Sequence, residues 1–184
     1  MKAPRTIRLD PSDTFVFPRA AEPGEWAVPG GFLFHGADPA VLQGKERAAF
    51  RAGFLGLASF GFSTLVTIVE VNEAERDAAI ETLALQLVEK LGAPSLSVAR
   101  EAAREEIEFS MTLCQDPVGS LLALHRTMVD GDVREQFRVL KDAVKNDGAD
   151  RMHSHTRAFT IVESDEDEAV EDRVDLLGLG GLKS

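Results

Sequence analysis

The chain has 184 residues, of which 44% are hydrophobic and 7% aromatic, so length and composition indicate one globular domain. Its formal net charge is −11 at pH 7. A field of that sign repels phosphate backbones and anionic lipid surfaces, which argues against nucleic acid and membranes as partners.

The cysteine content and the apolar runs bear on location. A single cysteine, Cys114, excludes an intramolecular disulfide and fits a reducing compartment. Residues 1–13 hold no apolar stretch of the signal-peptide kind, and the most apolar run, residues 54–69, is shorter than the ~20 residues that span a bilayer. We therefore expect a cytoplasmic protein.

Strands and turns are predicted for the first part of the chain. Turn-forming residues such as Pro11 and Gly30 separate short apolar stretches. The predicted extended segments are residues 6–10, 14–18 and 25–36.

A helix and a buried strand are predicted next. Asp38 and Pro39 are suited to the N-cap and the first position of a helix, which we expect to run through residues 40–58. Residues 63–71 are β-branched and apolar on both faces, which predicts a central strand covered on each side.

Two long helices follow. Asn72 is expected to cap a helix over residues 73–91, whose apolar residues recur at helical spacing and which ends before Gly92. A second long helix is predicted over residues 95–115.

A hairpin is the strongest local signal in the chain. Asp130-Gly131 lies between two strand-like runs, residues 121–128 and 133–140. A two-residue turn there places Arg126 opposite Glu135 and Leu124 opposite Phe137, an opposite-charge pair and an apolar pair in one register.

Together these elements predict a single α+β domain over residues 1–163. Its antiparallel sheet combines N-terminal strands, the central strand and a C-terminal meander that ends with a strand at residues 156–163. Two long helices and one shorter helix cover the sheet. Residues 164–184 are predicted to be an acidic, flexible tail, because seven carboxylates lie between residues 163 and 172 without a basic residue.

Two histidines stand one residue apart, His153 and His155. On an extended backbone they point to the same face and could share a divalent metal, but a metal site needs further ligands. The alternative, which we favour, is a polar connector that leads into the last strand. No other cofactor is expected.

One face of the second long helix carries Glu106, Ser110 and Cys114 at i, i+4 and i+8. A carboxylate on a small apolar face could have a raised pKa and act as a base. The plainer interpretation, which we favour, has Glu106 at the edge of the face beside Arg104 or Arg126, with Cys114 as a buried hydrophobe.

An enzyme-like pocket would combine that face with the sheet. Its candidate residues are Glu106, Ser110, Cys114, His125 and Arg138. The sequence contains no dinucleotide fingerprint, Walker loop, GxSxG or HExxH motif. The phenylalanines at positions 50, 54, 60 and 62 are expected in the core.

The middle of the chain resembles a small family of uncharacterised bacterial proteins. The resemblance is carried by "FLGLASFGFSTLVTIVEV", "LVEKLGAPSLSVAREAAREEI" and "GDVREQFRVL", which cover much of residues 53–140. It assigns no catalytic residue. It implies an accessory role connected with the assembly of molybdenum-type oxidoreductases.

The sequence therefore leaves two functional hypotheses open. The first is a non-enzymatic accessory domain that binds a protein partner, with homo-oligomerisation left open. The second is a small-molecule- or metal-binding, enzyme-like domain that uses Glu106, Cys114, His125, His153 and His155.

Overall fold

The computed structural model describes residues 1–142 and 159–161. Its strands are β1 (Lys2–Ile7), β2 (Ala27–Val28), β3 (Phe54–Gly56), β4 (Phe62–Ser63), β5 (Leu65–Glu70), β6 (Leu121–Val129), β7 (Asp132–Asp142) and β8 (Phe159–Ile161). Its helices are α1 (Ser12–Val16), α2 (Gly44–Ala52), α3 (Glu73–Leu91) and α4 (Leu96–Thr112), with a 3₁₀ helix at Gly31–Phe34. The predicted α+β class is confirmed.

The larger sheet has five antiparallel strands in the order β1-β5-β6-β7-β8. Its β6–β7 hairpin turns at Asp130 and Gly131, which both have positive φ, as a tight hairpin turn requires. Arg126 lies opposite Glu135 and Leu124 opposite Phe137, so the predicted register is confirmed. The pairing of β8 with β7 confirms a further strand in this region of the chain.

The strand predicted to be central does lie inside the sheet. β5 has β1 on one side and β6 on the other. Val66 and Ile68 are fully buried, whereas Leu65, Thr67 and Val69 on the opposite face are partly exposed. The central position predicted for this strand is therefore confirmed, and one of its faces is covered more completely than the other.

The long helices begin and end where capping chemistry places them. The Asn72 side chain accepts a hydrogen bond from the Glu75 backbone, and the Glu75 carboxylate accepts one from the Asn72 backbone. This capping box satisfies two donors that α3 cannot pair internally. Gly92 ends α3 in the left-handed conformation, and Ser95 caps α4.

A small sheet has the strand order β2-β3-β4, and a bridge between Trp26 and Arg5 connects it to β1 of the larger sheet. Its residues enter both main core clusters: Val28 and Leu55 pack with α3 and α4, while Ala27 and Phe54 pack with β5 and β6. The phenylalanines expected in the core are buried or partly buried.

The N-terminal region departs from the prediction of strands alone. Residues 14–18 were predicted as a strand, but Ser12–Val16 is a short helix. Asp10 accepts a hydrogen bond from the Ser12 backbone, and buried Asp13 accepts one from the Thr64 hydroxyl at 2.6 Å. A hydrogen bond between residues 51 positions apart thus anchors the short helix α1 to the residue before β5. Within residues 25–36 only Ala27–Val28 is a strand.

The first regular helix is also shorter than predicted. Asp38 does not cap it; its carboxylate accepts a hydrogen bond from the Ala40 backbone in a local turn, and α2 begins after Gln43. The helix stops at Ala52 because Phe54 and Leu55, both fully buried, enter β3 instead.

Several predictions lie outside the described residues. They concern His153, His155 and the acidic segment 164–184. In the part of the chain that is described, no helix has the length and apolarity needed to cross a membrane.

Candidate functional site

An apolar groove runs between α3 and α4. It has a volume of about 550 Å³. Its floor consists of buried Leu83, Leu87 and Ala99, and its walls of Leu91, Val98 and Phe109.

The walls of the groove are large apolar side chains that remain substantially exposed to solvent. Leu91 and Val98 are each 49% exposed and Phe109 is 42% exposed. Single exposed apolar residues are common, but a contiguous set over an apolar floor marks an interaction surface. The groove is therefore the candidate functional site.

The groove is polar at one end only. Leu91 and Val98 flank the short connection between the two helices, whereas Glu105 and Glu106 lie further along α4, towards Phe109. Among the described residues that line the groove there is no Lys, Arg or His.

An acidic cleft adjoins that polar end. It has a volume of about 410 Å³ and shares Phe32 and Glu106 with the groove. Asp132 and Glu135 of β7, His35 and the backbone of Gly31 complete its polar lining. Groove and cleft therefore form a continuous surface that joins at Glu106.

Arg126 lies beneath this surface and is 1% exposed. Its Nε donates to Glu135 Oε1 at 2.7 Å. The guanidinium also donates to four backbone carbonyls, those of Pro29, Ala49, Phe50 and Gly53. Three of these belong to the C-terminal end of α2 or follow it, so Arg126 supplies donors that the helix end lacks.

Glu106 is fixed at the junction by the backbone. Its Oε1 accepts a hydrogen bond from the Gly30 amide at 3.0 Å. Burial raises the pKa of Glu106; the Gly30 hydrogen bond opposes the shift, the nearby Glu135 charge adds to it, and Arg126 opposes it. Of Arg104 and Arg126, the two arginines considered as neighbours of Glu106, Arg126 is the one whose charge lowers the pKa of this carboxyl.

Ser110 and Cys114 lie in the core. The Ser110 hydroxyl donates to the Ile107 carbonyl at 2.7 Å. Cys114 is 4% exposed and packs with Leu122 and Leu124. Burial raises the pKa of the Cys114 thiol to about 11, which keeps it protonated at neutral pH.

His125 and Arg138 lie on the other face of the sheet. His125 pairs with Gln136 and Arg138 with Ala123, whereas Cys114 packs with the alternate residues of β6. Because successive residues of a strand point to opposite faces, the structure does not bring the five candidate pocket residues together. Among the described residues, no group of three or more His, Cys, Asp or Glu could hold a metal.

Sequence reasoning missed both the groove and the role of Arg126. Leu83, Leu87 and Leu91 form an i, i+4, i+8 series that predicts a core face, yet Leu91 is half-exposed. In the sequence, the apolar residue Val98 near the start of the next helix was a further signal; in the structure it extends the same apolar surface onto α4.

Most of the chain matches a known protein family. Residues 1–158 match the model of a family described as "Family of unknown function (DUF6505)". The chain belongs to this family. Its membership confirms the resemblance to an uncharacterised family and covers more of the chain than residues 53–140. No curated protein and no solved structure matches the chain.

Proposed function

We propose that this member of the family is a non-enzymatic accessory domain that binds another protein through the groove between α3 and α4. The observation that carries the proposal is the exposure of Leu91, Val98 and Phe109 over a floor of buried apolar side chains. Burying such a surface is favourable by roughly 25 cal/mol per Å² of apolar area, which is the main driving force of protein association.

The rest of the candidate chemistry supports binding rather than catalysis. The thiol of Cys114 is buried and protonated, and Ser110 bonds to its own helix. A nucleophile needs a positioned base, but the Ser110 hydroxyl donates to the Ile107 carbonyl and the Cys114 thiol to the Ser110 carbonyl. We propose a cytoplasmic location because a single cysteine suits a reducing compartment.

The test compares two exposed leucines of α3, one that lines the groove and one that lies outside it. Leu91→Lys places a charge in the groove, and Leu85→Lys places the same charge at a residue that is 56% exposed outside it. Both variants should fold, because each side chain already meets solvent. Each is used as bait beside the wild-type chain, and every captured protein is identified, purified and titrated against all three.

We expect a partner that binds wild type and Leu85→Lys with equal affinity. It should bind Leu91→Lys at least about tenfold more weakly, which corresponds to a loss of about 1.4 kcal/mol in binding free energy. A purified partner that binds all three chains equally contradicts the proposal. So does an absence of any protein whose capture depends on Leu91.

The family resemblance extends the proposal to the identity of the partner. We propose that the partner takes part in assembling a molybdenum-type oxidoreductase. Cells whose only copy of this protein is Leu91→Lys should then contain oxidoreductase with a lower molybdenum content than wild-type cells. Cells with Leu85→Lys should have the wild-type content. Normal molybdenum content in both would leave the docking function intact and remove this assignment.

A further inference from the structure

The shape of the groove favours a helical occupant. Its walls are two helices that lie side by side and are joined by residues 92–95. The α4 wall extends from Val98 to Phe109, which is roughly three helical turns or ~17 Å. A third helix of that length can place apolar side chains at i, i+3, i+4 and i+7 against such a surface.

The charge of the groove decides between occupants. A second copy of this chain brings the same net charge of −11 and the same two glutamates, Glu105 and Glu106, to the interface. The chain's own segment 163–172 brings seven carboxylates. Like charges at an interface disfavour both, and a basic partner is favoured.

Resting on the proposed docking function, we propose that the occupant is an amphipathic helix of another protein that carries a lysine or arginine where it meets Glu105 and Glu106. Its apolar face lies along Leu91, Val98 and Phe109. Its ammonium or guanidinium group reaches the end of the groove where Glu106 borders the acidic cleft.

The surroundings of Glu106 support a cation at that place. The charged groups that face it are Glu135 and Arg126, and Arg126 is already bonded to Glu135. Asp132 and Glu135 in the cleft add negative charge. A bound cation offsets the repulsion between Glu106 and Glu135, and it gains a charge-assisted hydrogen bond in a partly buried setting.

The test is a selection of displayed random peptides, long enough for about three helical turns, on the full-length chain. Four baits are compared: wild type, Leu91→Lys, Glu106→Gln and Glu108→Gln. Glu108 is exposed, lies two residues from Glu106 and lines neither groove nor cleft. Glu108→Gln changes the net charge equally and thereby controls for general attraction of basic peptides.

We expect wild type and Glu108→Gln to enrich peptides that combine helically spaced apolar residues with one lysine or arginine. Glu106→Gln should retain the apolar pattern, lose the basic residue and bind the selected basic peptides about tenfold more weakly. If apolar peptides without a basic residue are enriched on wild type, Glu106→Gln and Glu108→Gln but not on Leu91→Lys, the inference is overturned and the docking function still stands.

Two other outcomes also decide. If no peptide is enriched on wild type over Leu91→Lys, both the inference and the docking function fail. If sedimentation shows a dimer that Leu91→Lys dissociates and Leu85→Lys does not, the occupant is a second copy of the chain, and the basic helix is excluded.

Discussion

Arg126 and Glu135 face each other across the β6–β7 hairpin, with Nε 2.7 Å from Oε1 and the arginine side chain fully buried. The pair joins the cross-strand register to the tertiary structure, because the same guanidinium donates to carbonyls at the end of α2 and to Pro29. The central carbon of the Arg126 guanidinium also lies 5.4 Å from the centre of the Phe34 ring. Burial lowers the pKa of Arg126, and Glu135 opposes that shift.

Replacing this arginine should destabilise the protein severely. Arg126→Met leaves the Glu135 carboxylate and several buried carbonyls without their donor, for which we expect a loss of about 3–5 kcal/mol in the free energy of unfolding. Urea denaturation at neutral pH measures it. Arg134→Met, at an exposed position of β7, is the control and should change stability by less than ~0.5 kcal/mol. Equal losses in the two variants would contradict a special role for Arg126.

Local signals in the sequence were sufficient for much of this fold. The capping box at Asn72 and the left-handed Gly92 place α3 at Glu73–Leu91, the same bounds that residue spacing predicts. The Asp130-Gly131 turn sets the hairpin register in the same way. Each of these features depends on residues within a few positions of one another, and sequence reasoning can evaluate such interactions directly.

Non-local contacts account for what was missed. α1 is held by the bond between Asp13 and Thr64, 51 residues away, and Arg126 finds acceptors 73 to 97 residues earlier. Neither could be inferred from spacing. The apolar stripe of α3 was predicted, but which of its residues would be left uncovered depends on how α4 and Phe32 pack beside it.

Glu106 should lower the stability of the protein at neutral pH. Its folded pKa is raised above the unfolded value by burial, so its contribution is favourable at low pH and is lost as pH rises through the folded pKa. Glu106→Gln keeps a carbonyl that can accept from the Gly30 amide. We expect this variant to be more stable than wild type at pH 7, with the difference shrinking towards the ordinary glutamate pKa of 4.5.

Urea denaturation of both chains between neutral pH and the onset of acid unfolding measures that difference. Glu108→Gln is the matched control and should show no comparable pH-dependent gain. A Glu106→Gln variant that is less stable than wild type at pH 7 would show that the carboxylate contributes favourable interactions beyond the Gly30 hydrogen bond.

Cys114 should be inert towards thiol reagents in the folded protein. With a pKa of about 11, only about one thiol in a thousand is ionised at pH 8, and the side chain is 4% exposed. A disulfide reagent such as Ellman's should therefore react slowly in buffer and rapidly in urea. The raised pKa also predicts that the contribution of Cys114 to stability falls as pH rises from about 9 to about 11. Equal reaction rates in buffer and urea would show that the thiol is accessible and ionised.

Gly30 should tolerate no side chain, for a reason that can be separated from its backbone conformation. Its φ is +75°, and an added Cβ would lie 2.9 Å from the Cβ of fully buried Leu55. Gly36 has the same φ of +75° but has nothing within 4 Å of an added Cβ. Gly36→Ala should therefore cost only the left-handed conformation, about 1–2 kcal/mol. Gly30→Ala should cost more, because Leu55 is held in β3 and cannot move aside without disturbing the core. Because Leu55 cannot yield, the clash should displace the backbone of Gly30 and weaken the hydrogen bond from its amide to Glu106. Gly30→Ala should therefore also reduce binding of the basic peptides selected on wild type. Urea denaturation and peptide titration of the two variants measure both effects; equal destabilisation would show that Leu55 yields freely.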